Sequence, residues 1–218
     1  MIDPPATPVP DTESVRAVVV PAEARWGEVG GRLCRVLGGV LGAGAVHVRH
    51  IGSTAVPGMA AKEVFDLQVS VRDLDAARAA FAGPLERLGF RPSSAVRDHA
   101  PAGLPDRPED WAKALWTRRP AGSETDSASG FPEVSVNLHV RLLGGPGERI
   151  ALLFRDWFRA HPEAVPAYAA FKRGLAAAVP DTGTYAEVKD PVVDLVIAVA
   201  EPWAEAVGWA PHEGARAE

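Results

Sequence analysis

The segment VHVRHIGSTAVPGMAAKEVFDLQVSV, residues 46–71, decides the fold. Its ends alternate and its middle turns. Val46-His47-Val48-Arg49 alternates apolar with polar side chains, the mark of a half-buried strand. Residues 50–58 hold the turn formers Gly52, Ser53, Pro57 and Gly58. From Glu63 to Val71 the alternation is strict. Successive strand side chains point to opposite faces, so Phe65, Leu67, Val69 and Val71 share one side. Val64, Asp66, Gln68 and Ser70 share the other. Residues 134–141 repeat the pattern, with Val134, Val136, Leu138 and Val140 opposite Ser135, Asn137, His139 and Arg141.

Outward from these strands, Val15–Val20 reads as a short strand. Residues 21–41 read as a helix through Trp26, Val29, Leu33, Val36 and Leu37. Asp73 is placed to cap a helix buried through Leu74, Ala77, Phe81, Leu85 and Leu88, with Gly89 closing it. Residues 111–117 read as a strand and 120–130 as a loose loop. After Gly144-Gly145-Pro146 three helical stripes follow, at 150–160, 162–179 and 184–207, punctuated by Pro162, Pro180 and Pro202. The stripes through Leu153, Phe154 and Trp157, and through Leu195, Val199 and Trp203, are expected against the sheet. The expected fold class is α+β: a mixed sheet with C-terminal helices packed on it. One domain spans 15–208, between a disordered arm at 1–14 and a tail at 209–218. The three alternating segments are expected to be neighbouring strands with their polar faces on one side.

The 218 residues carry a formal charge of −5 and a pI near 5.7, which argues against a general nucleic-acid binder. A local cluster of Arg, Lys and His on an acidic protein still suits an anionic small-molecule ligand. The single cysteine, Cys34, excludes an internal disulfide framework and reads as a small core residue. The acidic, proline-rich N-terminal residues do not read as a signal peptide, and no apolar run reaches the ~20 residues of a membrane span. The expected location is the cytoplasm.

A strand face carrying Asp66, Gln68, Asn137, His139 and Arg141 is either the floor of a cleft or the solvent side of an antiparallel sheet. Pattern alone leaves both open. The turn Gly52-Ser53-Thr54 offers backbone N–H groups and a hydroxyl to a phosphate. A carboxylate on the next strand, Asp66, could hold Mg²⁺ against it.

Residues 49–67, RHIGSTAVPGMAAKEVFDL, closely resemble the signature of the GrpB family, roughly HIGSTAVPGLAAKPIIDI. Asn137-Leu138-His139-Val140 is similar to that family's HLHV strand, and residues 153–162, LFRDWFRAHP, to its LLFRDYLRAHP helix. Tyr185 and Lys189 fall on its Y-x-x-x-K position. The matches run in family order and cover residues 15–208. Asp98-His99, Trp111, Val140-Arg141 and Trp209 resemble the version fused behind dephospho-coenzyme A kinase in actinobacteria. No G-x-x-x-x-G-K phosphate loop occurs in this sequence.

The resemblance implies the fold of the polymerase-β-type nucleotidyltransferase superfamily, whose active members carry D-x-D or D-x-E on the strand after a Gly-Ser turn. A third carboxylate lies on a later strand. Here the strand reads Asp66-Leu67-Gln68, and Asn137 and His139 stand where the third acid would be. The GrpB pattern shares the missing second acid. Asn137 in place of His and Glu63 in place of Pro are this chain's own departures.

The resulting expectation is a nucleotidyltransferase-like enzyme acting on a nucleotide or other anionic small molecule. Asp66 is its metal ligand or base and His139 its second ligand or acid/base. His50, Gly52, Ser53, Thr54, Lys62, Gln68, Asn137, Arg141, Arg155, Tyr185 and Lys189 are the candidate substrate contacts. Two alternatives stand beside it: a non-catalytic ligand-binding module linked to coenzyme A metabolism, and a metal-independent condensing or hydrolysing enzyme on the same scaffold. Mg²⁺ is expected to bind weakly without ligand. Asp66 is the only carboxylate its strand can present, with His50, Lys62, His139, Arg141 and Lys189 around it, and each cation opposes a bare divalent ion.

Overall fold

The computed structural model describes residues 16–120 and 131–211. The expected arm, the loop from 121 to 130 and the tail beyond 211 lie outside the described residues. Five strands, β1 (His47–Ile51), β2 (Val64–Val71), β3 (Arg91–Pro92), β4 (Lys113–Arg118) and β5 (Ser135–Leu142), form one sheet in the order β1-β2-β5-β4-β3. β2 and β5 run parallel at its centre, and the other pairs are antiparallel. The fold is a mixed-sheet α+β architecture, as the alternating segments imply.

Two helices, α1 (Trp26–Leu41) and α2 (Leu74–Arg87), cover the apolar face. Phe65, Leu67, Val69 and Val71 of β2 and Val136, Leu138 and Val140 of β5 are at most 1% exposed there. Leu33 and Leu37 of α1 and Phe81 and Leu85 of α2 pack onto them. Each such side chain contributes about 1.5–3 kcal/mol of transfer free energy, so this layer dominates the fold. Asp73 caps α2 by accepting from the Ala76 N–H (2.9 Å), and Gly89 follows the helix at φ +79°.

The other face meets α3 (Pro146–Ala160), α4 (Val165–Ala178) and α5 (Thr182–Val207). Phe154, Phe158, Val165, Tyr168 and Ile197 form a second cluster with Val56 and Met59 of the turn after β1. That cluster fastens the helices to the β1 end of the sheet.

Four expectations are corrected. Residues 16–20 form no strand; Val20 alone bridges Ala61. Pro202 does not end α5, which continues through both Pro191 and Pro202. Burial of Ile197, Ala200 and Ala204 holds this helix, because tertiary packing overrides local propensity. For the same reason the buried stripe of α5 is not Leu195 and Val199, which are 67% and 53% exposed. Glu187, Asp190, Asp194, Glu201 and Glu205 form a charged stripe with apolar residues on both flanks, so apolar spacing alone did not select the buried flank. Trp209, assigned to the tail, packs on the domain and donates from Nε1 to Asp156 Oδ2 (3.1 Å).

Candidate functional site

Parallel pairing of β2 with β5 sets Asp66 opposite Asn137 and Gln68 opposite His139. All four side chains therefore leave the sheet on one side. Asn137 Nδ2 donates to Asp66 Oδ1 (2.8 Å), and His139 Nε2 lies 3.7 Å from the same oxygen. Arg141 Nη2 donates to His139 Nδ1 (3.3 Å). Guanidinium has no acceptor, so Nδ1 is the unprotonated nitrogen and the ring proton sits on Nε2, facing Asp66. Burial and the Arg141 charge push the His139 pKa down despite Asp66. Burial alone would raise Asp66, but its contacts with His139 and Asn137 and the charge of Lys189 hold it down to about 2.

These groups border a cavity of about 430 Å³ between the sheet, α3–α5 and the segment 98–111. That volume suits a small ligand. The cleft reading of the polar face is therefore the one the structure shows, although the floor is shorter than the sequence implied. Gln68 and Ser70 are fully buried beneath α3, and Gln68 Nε2 donates to the Glu148 carbonyl (3.3 Å). Of the two alternating runs, Val64, Asp66, Asn137, His139 and Arg141 line the cavity.

Arg141 is fully engaged. Its Nε and Nη2 donate to the two carboxylate oxygens of Asp98 (2.6 and 2.8 Å), and Nη1 donates to Gln68 Oε1 (2.6 Å). Lys113 Nζ also donates to Asp98 Oδ1 (2.8 Å). Burial would raise Asp98, but Arg141 and Lys113 hold it well below the usual carboxylate range. Arg141 thus supports His139 from below rather than reaching toward a ligand.

The cations line the same cavity. Gly52, at φ +69°, places Ser53 at the cavity wall, where Ser53 Oγ accepts from Lys172 Nζ of α4 (2.8 Å). Lys62 lies over the Tyr185 ring (4.9 Å to its centre), and Lys189 enters from α5. Burial pushes the Lys62 pKa down against the pull of Asp66, and Lys189 and Arg119 push it further.

Not every expected contact reaches the cleft. His50 pairs with Leu67 across β1 and β2, so it takes the apolar face. It is 7% exposed, stacks near Phe65 and contacts Thr54 Oγ1 through Nε2 (2.8 Å). Thr54 is buried with it. Ile51, one residue on, lines the cavity instead. Arg155 binds the His50 carbonyl (3.1 Å) and Asp156, outside the cavity. His50, Thr54, Gln68 and Arg155 are therefore corrected from ligand contacts to supporting residues.

Burial holds the His50 pKa down to about 4, with Asp66 opposing. Folded His50 stays neutral where the unfolded side chain, near 6.5, takes a proton. This contribution is complete above pH about 6.5 and is lost as pH falls through about 4. Urea unfolding between pH 7 and 4 is expected to show falling stability, with a shallower fall for His50→Gln. Equal slopes would assign the acid sensitivity to other groups.

Three acids were missed. Asp98, Asp190 and Asp194 also border the cavity, so Asp66 is not its sole carboxylate. Asp194 accepts from the Ala102 N–H (3.0 Å) and meets His99 (3.1 Å), tying the 98–111 segment to α5. Lys172 was missed too. Its signal was present: Val165, Tyr168, Lys172 and Leu175 occupy one helical stripe, and a lysine there must be buried.

The residues do not fit a two-ion metal centre. Among the described residues no group of three or more His, Cys, Asp or Glu is placed to hold a metal ion. Asp66 already accepts from Asn137, and Asp98 is saturated by Arg141 and Lys113.

A family model described as GrpB protein matches residues 16–198. The chain belongs to the GrpB family. A crystal structure of the conserved protein GrpB from Enterococcus faecalis covers 85% of this chain and 99% of its own at TM-score 0.65 and 23% identity, a likeness of fold. A dephospho-CoA kinase of Mycolicibacterium paratuberculosis is 33% identical over 201 residues, 88% of this chain and 48% of that protein. The chain thus spans about half the length of the mycobacterial relatives it matches. The UPF0157 protein BH1888 of Halalkalibacterium halodurans is 31% identical over 154 residues, 71% of this chain and 66% of that protein. Among the described residues, no helix of this GrpB-family chain is long and apolar enough to cross a membrane.

Proposed function

We propose that this GrpB-family chain binds a nucleotide or another phosphorylated small molecule in the cleft and acts on it as a nucleotidyltransferase-like enzyme of the cytoplasm. The observation that carries this reading is that Lys62, Lys172 and Lys189 line one cavity with Ser53 in an acidic protein. Desolvated cations around a hydroxyl and a glycine turn are a site for phosphate oxygens. Asp66 and His139 in the same cavity supply a base and a proton carrier. The partner is a small molecule rather than nucleic acid. A second reading, a ligand-binding module serving coenzyme A metabolism, is favoured by the likeness to mycobacterial dephospho-CoA kinases.

Calorimetry tests the anion site. Pyrophosphate and ATP are expected to bind without Mg²⁺, and Mg²⁺ alone to bind weakly or not at all, because the cations oppose it. Asp66→Asn removes a negative charge facing the ligand, so anion binding is expected to hold or tighten. Tight Mg²⁺ binding by the free protein, or loss of anion binding in Asp66→Asn, would overturn the model. Turnover of a bound nucleotide separates the enzyme from the binding module.

A further inference from the structure

Lys172 is the group that anion binding alone does not explain. It is 2% exposed, yet a lysine serving only as a positive charge gains nothing from leaving water. Its ammonium contacts the Tyr168 ring (5.1 Å to the centre) and donates to Ser53 Oγ at 2.8 Å. Ser53 in turn opens onto the cavity on a turn set by Gly52. An amine and a hydroxyl at this distance, one buried and one facing a ligand cavity, form the pair that nucleophilic catalysis requires.

We infer that Ser53 and Lys172 form a nucleophile–base pair that accepts an acyl group from an ester, thioester or acyl phosphate whose leaving group is negatively charged. The inference rests on the anion site of the proposed reading for recognition of the leaving group, and assigns acyl transfer to that site in place of nucleotidyl transfer. Neutral Lys172 Nζ takes the Ser53 hydroxyl proton as Oγ bonds to the carbonyl carbon. The tetrahedral oxyanion collapses, the carbon–oxygen or carbon–sulfur bond to the leaving group breaks, and Lys172 returns the proton to the departing atom. Acyl-Ser53 results. Water then attacks that ester, Lys172 accepts the water's proton, and the proton passes to Ser53 Oγ as the carboxylic acid leaves.

Two features support acyl rather than phosphoryl transfer. Metal-assisted phosphoryl transfer calls for ions that clamp the transferred group, and among the described residues none build a two-ion centre. Acyl transfer develops one oxyanion, and Lys62 and Lys189 face the same cavity. Burial, and then the charge of Lys189, push the Lys172 pKa down to about 7, against Asp66 and with a smaller push from Arg173. Asp66 faces it from β2, Lys189 and Asp190 border the cavity from α5, and Arg173 and Tyr168 share its helix. The free amine is thus available at neutral pH, as a general base requires.

The test uses the full chain with acetyl phosphate and, separately, a fluorophosphonate probe, with the adduct located by peptide mass spectrometry. The expected result is one acetyl or phosphonyl group on Ser53, forming at a rate that rises through pH about 7. Ser53→Ala is expected to abolish it, and Lys172→Arg, which keeps the charge but cannot lose it, to slow it at least about 100-fold. Thermal melting shows whether Lys172→Arg is folded; if it is not, the wild-type pH profile and Ser53→Ala decide. Absence of a Ser53 adduct, an adduct on Lys172 instead, or a rate independent of pH between 6 and 8 overturns the inference. Pyrophosphate calorimetry on the same protein separates the two readings. Binding without an adduct defeats only the nucleophile, whereas an adduct without anion binding defeats the anion site and leaves the nucleophile.

Discussion

Arg141→Met is expected to destabilise the fold by about 3–5 kcal/mol, the usual consequence of stripping one partner from a buried ion pair. The guanidinium has 8% side-chain exposure and serves three neighbours at once: Asp98 through two bonds, Gln68 and His139. Methionine fills much of the same space, so the loss is electrostatic rather than a cavity. Asp98 is left with Lys113 alone, and Gln68 Oε1 loses its donor below α3. The Asp98 carboxyl, held low in the wild type, then rises, and the variant loses stability that the native protein keeps down to strongly acidic pH. Urea unfolding at pH 7 measures the change. Arg141→Met/Asp98→Asn should recover a large part of it, because the second substitution removes the orphaned charge. A loss below about 1 kcal/mol in the single variant would show that water reaches Asp98 and that the pair is a surface one.

Gly52→Ala is expected to remove pyrophosphate binding by at least about 100-fold and to cost about 2–4 kcal/mol of stability. Two independent constraints meet at this residue. Its backbone, at φ +69° and ψ −167°, lies in a region open essentially to glycine. A Cβ there would sit 2.6 Å from Asp66 Oδ2 and 3.0 Å from Asp66 Cβ. Asp66 cannot step aside freely, because its backbone is in the centre of the sheet and its Oδ1 is held by Asn137. The turn must move instead, carrying Ser53 away from Lys172. Gly39→Ala is the control: Gly39 is exposed in α1, has no atom within 4 Å of an added Cβ, and should gain up to about 1 kcal/mol. Unchanged binding in Gly52→Ala would show that the turn relaxes without cost to the site.

The period-2 runs at 63–71 and 134–141 determined the central strands, their buried faces and the side on which Asp66 and His139 emerge. Strand geometry leaves a residue only two directions, so alternation settles which residues share a face. Asp73 and Gly89 bounded α2 for equally local reasons: a side-chain cap and a positive φ. The family signature in residues 49–67 placed the Gly-Ser turn beside Asp66. Long-range packing decided the rest. Whether His50 faces the cleft depends on its register with Leu67, which a turn of uncertain geometry conceals from sequence. Whether Leu195 or Ile197 is buried depends on which apolar flank of the charged stripe on α5 meets α3. The meeting of Lys172 with Ser53, 119 positions apart, belongs to no local pattern. It exists because α4 packs Tyr168 against Phe158 and Phe154, and so carries the next turn of its buried stripe over the Gly-Ser loop.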